Sequence, residues 1–527
     1  PPQPATVEIG EIGMCGIAGV WGVRDEDLVR RMMDRLAHRG PDAGGVHLDA
    51  AGTLGHRRLS IMDPKRGGQP IYDEAGERAV ITNGEIYNYP RLRSQLSSRH
   101  SFRTRSDSEV PLHLYEELGQ TLVRRLDGMF AFAIADGESL FLARDPIGIK
   151  PLYYGQRDGD FVFASELKAL VGLAEDVREF PPGTCFHSDT GFRPYYHVPD
   201  RAPRDMPLKT RLHLLRETLD EAVRKRLMSD VPVGAFLSGG LDSSLIVALL
   251  RPHIDDLHTF SVGTEGSPDL EAARTVARHL GTTHHEYVFG PVEVAEVLGE
   301  IIYHLESFDQ DLVRSAIPCY FVSRLAAEYV KVVLTGEGAD ELFAGYEYYR
   351  SIGDGESLHH ELRRSVSTLH NINLQRVDRL TMAHSIEGRV PFLDLEMVHL
   401  AQTIPADLKL YTDESGQRWD KWILRKAFEG LLPTDIVWRE KQQFDEGSGA
   451  VQLLGGILDR WLKPDEAERY RSAVPADAGL CSREESVYHK LLGEAYGDSE
   501  AVFANVARWS NREGGNAPAS FSPSVPS

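Results

Sequence analysis

The sequence predicts two units of different class. A β-rich α+β unit spans residues 15–205, and an α/β unit spans 206–510, built on a parallel, doubly wound sheet with added helices. Three observations predict this division. Up to about residue 200, short β-like runs follow one another, among them GIAGVWG, AVITNGEIYN and MFAFAIAD, with turn residues between them. Residues 195–207 are proline-rich and aperiodic, the character of a linker. Beyond the linker, strand-like and helix-like segments alternate, which calls for parallel strands joined by crossover helices.

In the first unit, 25–38 and 107–118 read as helices, and SLFLARD and DFVFAS as further strands. From residue 208, Leu212, Leu215, Leu219, Val223 and Leu227 recur at the three- and four-residue spacing of an amphipathic helix. VPVGAFL is then a buried strand, leading through SGGLDSS into the helix LIVALL. HTFSVG is a second strand, DLEAARTVARHLG a helix and HHEYVF a third strand. KVVLTGEGADE is a strand running into a polar glycine loop, and the remainder is mostly helical. Residues 1–14 have neither a basic n-region nor an apolar h-region and read as an extension absent from the active protein. The Gly/Ser/Pro-rich stretch 511–527 reads as a disordered tail.

The composition, 42% hydrophobic and 26% charged, is that of a globular protein. A net charge of -21 argues against nucleic acid or an anionic membrane as partner, because both demand basic surface. Cys15, Cys185, Cys319 and Cys481 are too dispersed for a CxxC-type metal motif, and so few cysteines without a secretory signal fit a cytoplasmic location. No apolar run is long enough for a membrane span.

The strongest chemical signal is LSGGLDSS, Leu237 to Ser244, between a strand and a helix. Gly239 and Gly240 permit close backbone approach, and the helix N-terminus offers N–H groups to an anion. Ser238, Ser243 and Ser244 add hydroxyls, and Asp242 makes sense if it holds Mg²⁺ against a pyrophosphate. The loop lacks the Walker pattern and instead resembles that of the ATP pyrophosphatases. LTGEGADELFAGY is a second glycine loop, with Glu337, Asp340 and Glu341 clustered at what would be a sheet's C-terminal edge. At the other end of the chain, removal of Met14 would leave Cys15 with a thiol nucleophile and an α-amine base on one residue.

Together these segments resemble the glutamine-dependent asparagine synthetases of the B type. The first half carries MCGIAGVWG, HRGPD, HRRLSIMD, NGEIYN, SDSEV, LDGMFAFAIAD and RDPIGIKPLYY; the second carries SGGLDSS, FSVG, HLGTTHH, TGEGADELFAGY, EGRVPFLD, KWILRKAF and WREKQQF. The resemblance implies an N-terminal-nucleophile glutaminase with an αββα sandwich, followed by an ATP-pyrophosphatase domain. It also implies ATP and Mg²⁺ as requirements, small-molecule substrates, a β-aspartyl-AMP intermediate, an internal ammonia tunnel and a homodimer.

By the same resemblance, Cys15 attacks the glutamine amide, and Asn83 and Gly84 supply the oxyanion donors. Arg58 clamps the glutamine carboxylate beside Ile61, while Glu85 and Asp107 receive the α-ammonium. Leu237 to Ser244, Thr335 and Gly336 contact ATP, with Val262 beside the adenine. Asp242 and Asp340 hold the metal, Glu337 is the catalytic carboxylate of the synthetase half, and Arg314 and Lys441 neutralise substrate charge. Arg389 and Asp394 are assigned to structural ion pairing. Two departures bear on the acceptor: Asp311-Leu312 replaces a Thr pair, and Asp445-Glu446 stands where Ser-Asp is common. They motivate a second reading, amidation of a carboxylic acid other than aspartate. Intramolecular amide closure, as in β-lactam synthetases, is disfavoured by the intact Cys15, Arg58, Asn83 and Asp107.

Overall fold

The computed structural model describes residues 15–475, 478–497 and 499–509. The expected extension at 1–14 and the expected disordered tail at 511–527 lie outside the described residues.

Residues 16–194 form two stacked six-stranded sheets. The strands are β1 (Gly16–Trp21), β2 (Ala43–Leu48), β3 (Gly52–Arg58), β4 (Ile71–Tyr72), β5 (Arg78–Ile86) and β6 (Gly128–Asp136). They continue as β7 (Ser139–Arg144), β8 (Tyr153–Arg157), β9 (Asp160–Ala164), β10 (Glu175–Glu179), β11 (Thr184–His187) and β12 (Gly191–Pro194). The first sheet runs β10-β8-β9-β1-β3-β2 and the second β12-β11-β7-β6-β5-β4, with antiparallel pairing throughout. Strand β6 explains the layering. Its small residues Ala131, Ala133 and Ala135 join Ile17, Leu54 and Phe163 of the first sheet between the two sheets. Its large residues Phe130, Phe132 and Ile134 pack outward under helices Tyr89–Leu96 and Val110–Leu118. Burial of each large side chain contributes about 1.5–3 kcal/mol. Helix Glu26–Arg35 covers the other outer face, and Asp25 caps it by accepting from the Leu28 N–H at 2.8 Å. The result is an αββα sandwich.

Residues 195–207 carry no helix or strand. Helix Leu208–Lys225 follows and buries Leu215, Leu219 and Val223; it stops two residues short of Leu227. Five parallel strands then form one sheet: β13 (Val233–Phe236), β14 (His258–Gly263), β15 (Thr283–Val288), β16 (Val332–Leu334) and β17 (Glu387–Arg389). Their order is β15-β14-β13-β16-β17. The connections diverge on either side of β13, so the loops after β13 and β16 open a crevice at the strands' C-terminal ends. β17 has three residues, two of them charged, too short for any periodic signal. Arg389 Nε meets Glu387 at 2.7 Å and Asp394 meets Arg226 at 3.0 Å, so both residues form the expected ion pairs.

The two halves share a core. Leu59, Ile61, Met129 and Ile147 of the sandwich pack in one apolar cluster with Leu241, Leu334 and Phe392. Beside it runs a buried ionic seam. Arg39 Nη1 lies 2.5 Å from Glu166 and 2.7 Å from Asp378, Lys168 lies 3.0 Å from Glu306, and Lys150 lies 3.3 Å from Glu387. Buried charges are tolerable here because each has an opposite partner. Among the described residues, no helix is long and apolar enough to cross a membrane.

Candidate active sites

The first cavity lies at the end of the sandwich. β1 begins one residue after Cys15, whose Sγ is 3.8 Å from the Leu59 carbonyl oxygen. Arg58, Ile61, Asn83, Gly84, Glu85 and Asp107 line the same cavity, so the fold gathers all six expected glutamine-binding residues around the thiol. Arg58 ends β3, and its guanidinium is oriented by the carbonyls of Met62, Asp63 and Pro64 at 2.8–3.2 Å. Asn83 is buried, and its Nδ2 has no hydrogen-bond partner, unusual for a buried donor. Gly84 has φ +131°, and a Cβ there would stand 2.0 Å from the Met129 carbonyl oxygen. Only glycine lets β5 bend so close to β6 at this point.

Electrostatics divide these groups. Burial pushes the Cys15 thiol up to about 12, so it is protonated at neutral pH. Burial likewise raises Asp107 to about 6, although its carboxylate accepts from the Ile86 N–H at 2.6 Å. Burial and the neighbouring Asp107 hold Glu85 well above the usual carboxylate range. Gln69 and Glu387 are among the wall residues to which the sequence assigned no role. Gln69 accepts from the Thr82 N–H at 2.6 Å and steadies the strand that carries Asn83. Glu387 reaches the cavity from β17, in the other half of the chain.

The second cavity opens in the crevice of the parallel sheet. Its walls include Leu237, Ser238, Gly240, Asp242 and Ser243 from the loop after β13, and Thr335, Gly336, Glu337 and Asp340 from the loop after β16. Val262 at the end of β14 and Lys441 also line it. Ser238 and Ser243 hydroxyls lie 3.0 Å apart and hold the loop closed over the start of helix Leu241–Leu250. Gly239 has φ +74°, and a Cβ would meet the Ala273 nitrogen at 2.4 Å; this glycine serves the turn and does not line the cavity. Ser244 also lies behind the wall, fully buried.

Lys421 Nζ contacts both Asp242 and Asp340, and Lys441 Nζ also meets Asp340. Against the upward push of burial, the two lysines hold Asp340 well below the usual carboxylate range. Asp242 is raised by burial, and its Oδ1 is buried without a partner. Glu337 is engaged by Arg376 from helix Asn373–Ala383. Lys421 and Arg376 were not singled out from sequence, because each arrives from a distant helix.

Arg314 departs from expectation. It does not line the cavity; Glu484 grips its guanidinium at Nε and Nη2, each at 2.7 Å, and Asp311 lies 3.6 Å away. Glu484 draws it to helix Arg483–Tyr496, and Arg376 is the arginine at Glu337. Asp311, Leu312 and Asp445 do line the cavity, whereas Glu446 is exposed and outside its walls.

Comparison with known proteins bears on both halves. A glutamine amidotransferase domain family matches residues 14–184, and an asparagine synthase family matches 214–353 and 350–509. The chain is similar to the glutamine-hydrolysing asparagine synthetase of Triphysaria versicolor, 42% identical over 92% of this chain and 86% of the relative. It is 43% identical to asparagine synthetase 2 of Arabidopsis thaliana, over 94% of this chain and 89% of the relative. It is 38% identical to the probable asparagine synthetase of Dictyostelium discoideum, over 94% of this chain and 96% of the relative.

Proposed function

The chain belongs to the glutamine-hydrolysing asparagine synthetases, and on that premise we propose that it makes L-asparagine from L-aspartate, L-glutamine and ATP. Glutamate, AMP and pyrophosphate are the other products. The observation that carries this reading is the pair of cavities: one gathers a thiol with an unpartnered amide donor, and the other faces two glycine loops and paired carboxylates across a sheet switch point.

In the first cavity the Cys15 Sγ attacks the glutamine amide carbon. The thiol is neutral at working pH, so it hands its proton to a base during attack; the α-amine of a chain starting at Cys15 is that base. Asn83 Nδ2 and the Gly84 N–H stabilise the oxyanion, Arg58 pairs with the α-carboxylate, and Glu85 with Asp107 receives the α-ammonium. Ammonia leaves, and water releases glutamate from the thioester. Asn83→Ala is expected to lower glutaminase kcat by about 10²–10³-fold, the usual cost of one oxyanion donor, as read by glutamate release. Asp107 must be ionised to receive the ammonium. Its folded pKa is raised to about 6, so it gains a proton as pH falls through that value. Glutamine kcat/KM is expected to drop below about pH 6, with no matching inflection in ammonia-driven synthesis.

In the second cavity the loop Leu237–Ser243 and Thr335-Gly336 receive the phosphates, and Val262 lies beside the base. The two oxygen-ligand side chains Asp242 and Asp340, with the orphaned Oδ1 of Asp242, fit a Mg²⁺ ion carried in with the phosphates. Mg²⁺ bound there would neutralise charge on the departing pyrophosphate. Aspartate's β-carboxylate attacks the α-phosphorus to give β-aspartyl-AMP, and Glu337 takes a proton as ammonia displaces AMP. Lys441 and Arg376 offset the anionic charge. A cytoplasmic location fits the free thiols; pairing as a homodimer rests on the family resemblance alone.

The test is direct. Protein starting at Cys15 receives glutamine, Mg·ATP and aspartate, and asparagine and pyrophosphate are measured together. Aspartate-dependent pyrophosphate release supports the assignment. Glutamate release without it points to another acceptor acid, the reading favoured by the Asp311 and Asp445 carboxylates at the cavity wall.

A further inference from the structure

A second constellation lies in the sandwich, apart from both cavities. Glu74 sits in the turn between β4 and β5, His100 follows helix Tyr89–Leu96, and His113 and Glu116 lie one turn apart on helix Val110–Leu118. Each offers one ligand atom, and the four atoms lie within 4.8 Å of one another. His113 Nδ1 is 2.7 Å from Glu116 Oε2 and 3.8 Å from Glu74 Oε2. His100 Nδ1 is 3.4 Å from the same Glu116 Oε2 and 3.6 Å from Glu74 Oε1. Neighbouring ligands of a tetrahedral zinc ion stand about 3.4 Å apart, given bond lengths near 2.1 Å. The cluster is thus close to the size of a metal's coordination shell.

A second observation is independent of that spacing. Both histidines turn Nδ1 inward, and both have a carboxylate at the opposite nitrogen. His113 Nε2 faces Glu109 Oε1 at 3.5 Å, and His100 Nε2 meets Glu117 Oε1 at 3.2 Å. At His100 the Glu117 carboxylate accepts from Nε2 and leaves the Nδ1 lone pair turned inward, as in histidines that bind metals, whereas His113 Nε2 makes no hydrogen bond and its Nδ1 meets Glu116, a contact whose proton a bound metal would displace. Glu109 is itself fixed by the Arg103 and Thr104 N–H groups at 2.6 and 2.8 Å. The Ser101 N–H holds Glu74 Oε1 at 2.7 Å, and the Phe102 ring stands edge-on to His113 with centroids 4.6 Å apart. Arg78 approaches Glu116 at 3.7 Å, but through Oε1, the oxygen turned away from the histidines.

We propose that Glu74, His100, His113 and Glu116 form a binding site for a divalent transition metal of the zinc class. Two imidazoles and two carboxylates satisfy such an ion, while imidazole nitrogen disfavours Mg²⁺. The ion ties the β4–β5 turn to the helix that begins just after Asp107, and so braces one wall of the glutamine cavity from outside. Nothing in the sequence spacing marks it, because the four ligands come from three separate segments.

The full chain, stripped by chelator and then equilibrated with zinc sulfate, provides the test. Metal content is read by plasma mass spectrometry, and coordination by zinc X-ray absorption. The expected result is one tightly held zinc per chain with nitrogen/oxygen neighbours at about 2.0–2.1 Å and the outer-shell scattering of two imidazoles. No histidine stands in the described walls of either cavity, so that signature separates this site from metal bound there. His100→Gln and Glu74→Gln should each weaken zinc binding at least about 100-fold, and Glu117→Gln about 10-fold. Glu74 is exposed, so its variant guards against loss through misfolding. No zinc uptake at micromolar free metal, uptake without imidazole scattering, or equal retention by the Glu74 and His100 variants would overturn the site.

Discussion

Cys15→Ala, in protein that starts at residue 15, is expected to abolish glutamine-dependent asparagine formation and leave ammonia-dependent formation intact. The loss should exceed about 10³-fold, the scale on which removal of a catalytic nucleophile is measured. The expectation follows from geometry. The thiol lies in a cavity shared with Arg58, Asn83 and Asp107, while the phosphate loops line a different one. Removing one partly buried sulfur leaves the packing of β1 between β3 and β9 in place. The measurement is asparagine produced from glutamine and, separately, from an ammonium salt. Loss of both activities would mean that the two cavities do not act as separate sites.

Glu337→Gln carries the second large effect, with the opposite pattern. Glutaminase activity should persist, and asparagine formation should fall by about 10²–10⁴-fold with either nitrogen source, the range for loss of a positioned proton acceptor. Gln keeps the length of the side chain and can still accept a hydrogen bond from Arg376, so the change removes charge more than shape. A further readout separates the chemical role from a positioning one. If Glu337 acts after the carboxylate is activated, aspartate-dependent exchange of labelled pyrophosphate into ATP should survive in the variant. Loss of exchange together with synthesis would assign Glu337 to the binding or activation of aspartate instead.

Much of both cavities was legible because their chemistry is local. A loop that accepts phosphate needs glycine and hydroxyl residues within a few positions of a helix start, and the proposed loop Ser238 to Ser243 has them at the cavity wall. Strand β6 was visible as a β-like run, but the sorting of its alanines inward and phenylalanines outward depends on what covers each face. β17 was missed as a strand because three residues with two charges carry no period. Lys421, Arg376 and Glu387 were missed for another reason: each belongs to an element far along the chain from the loop or cavity it serves. Arg314 shows the converse. Its motif context pointed to substrate, but Glu484, some 170 residues away, captures it.

Taken alone, the amino-acid order specified the two fold classes and both glycine loops, since backbone conformation and helix-end chemistry are set by near neighbours, and its resemblance to a known family pointed to Cys15, Asn83 and Gly84 as the proposed nucleophile and oxyanion donors. Folding alone decided which cation faces which carboxylate, which half contributes Glu387 to the thiol's cavity, and that two histidines and two glutamates converge on one point. Coulomb interactions and metal coordination act over a few ångströms of space, whatever the separation along the chain.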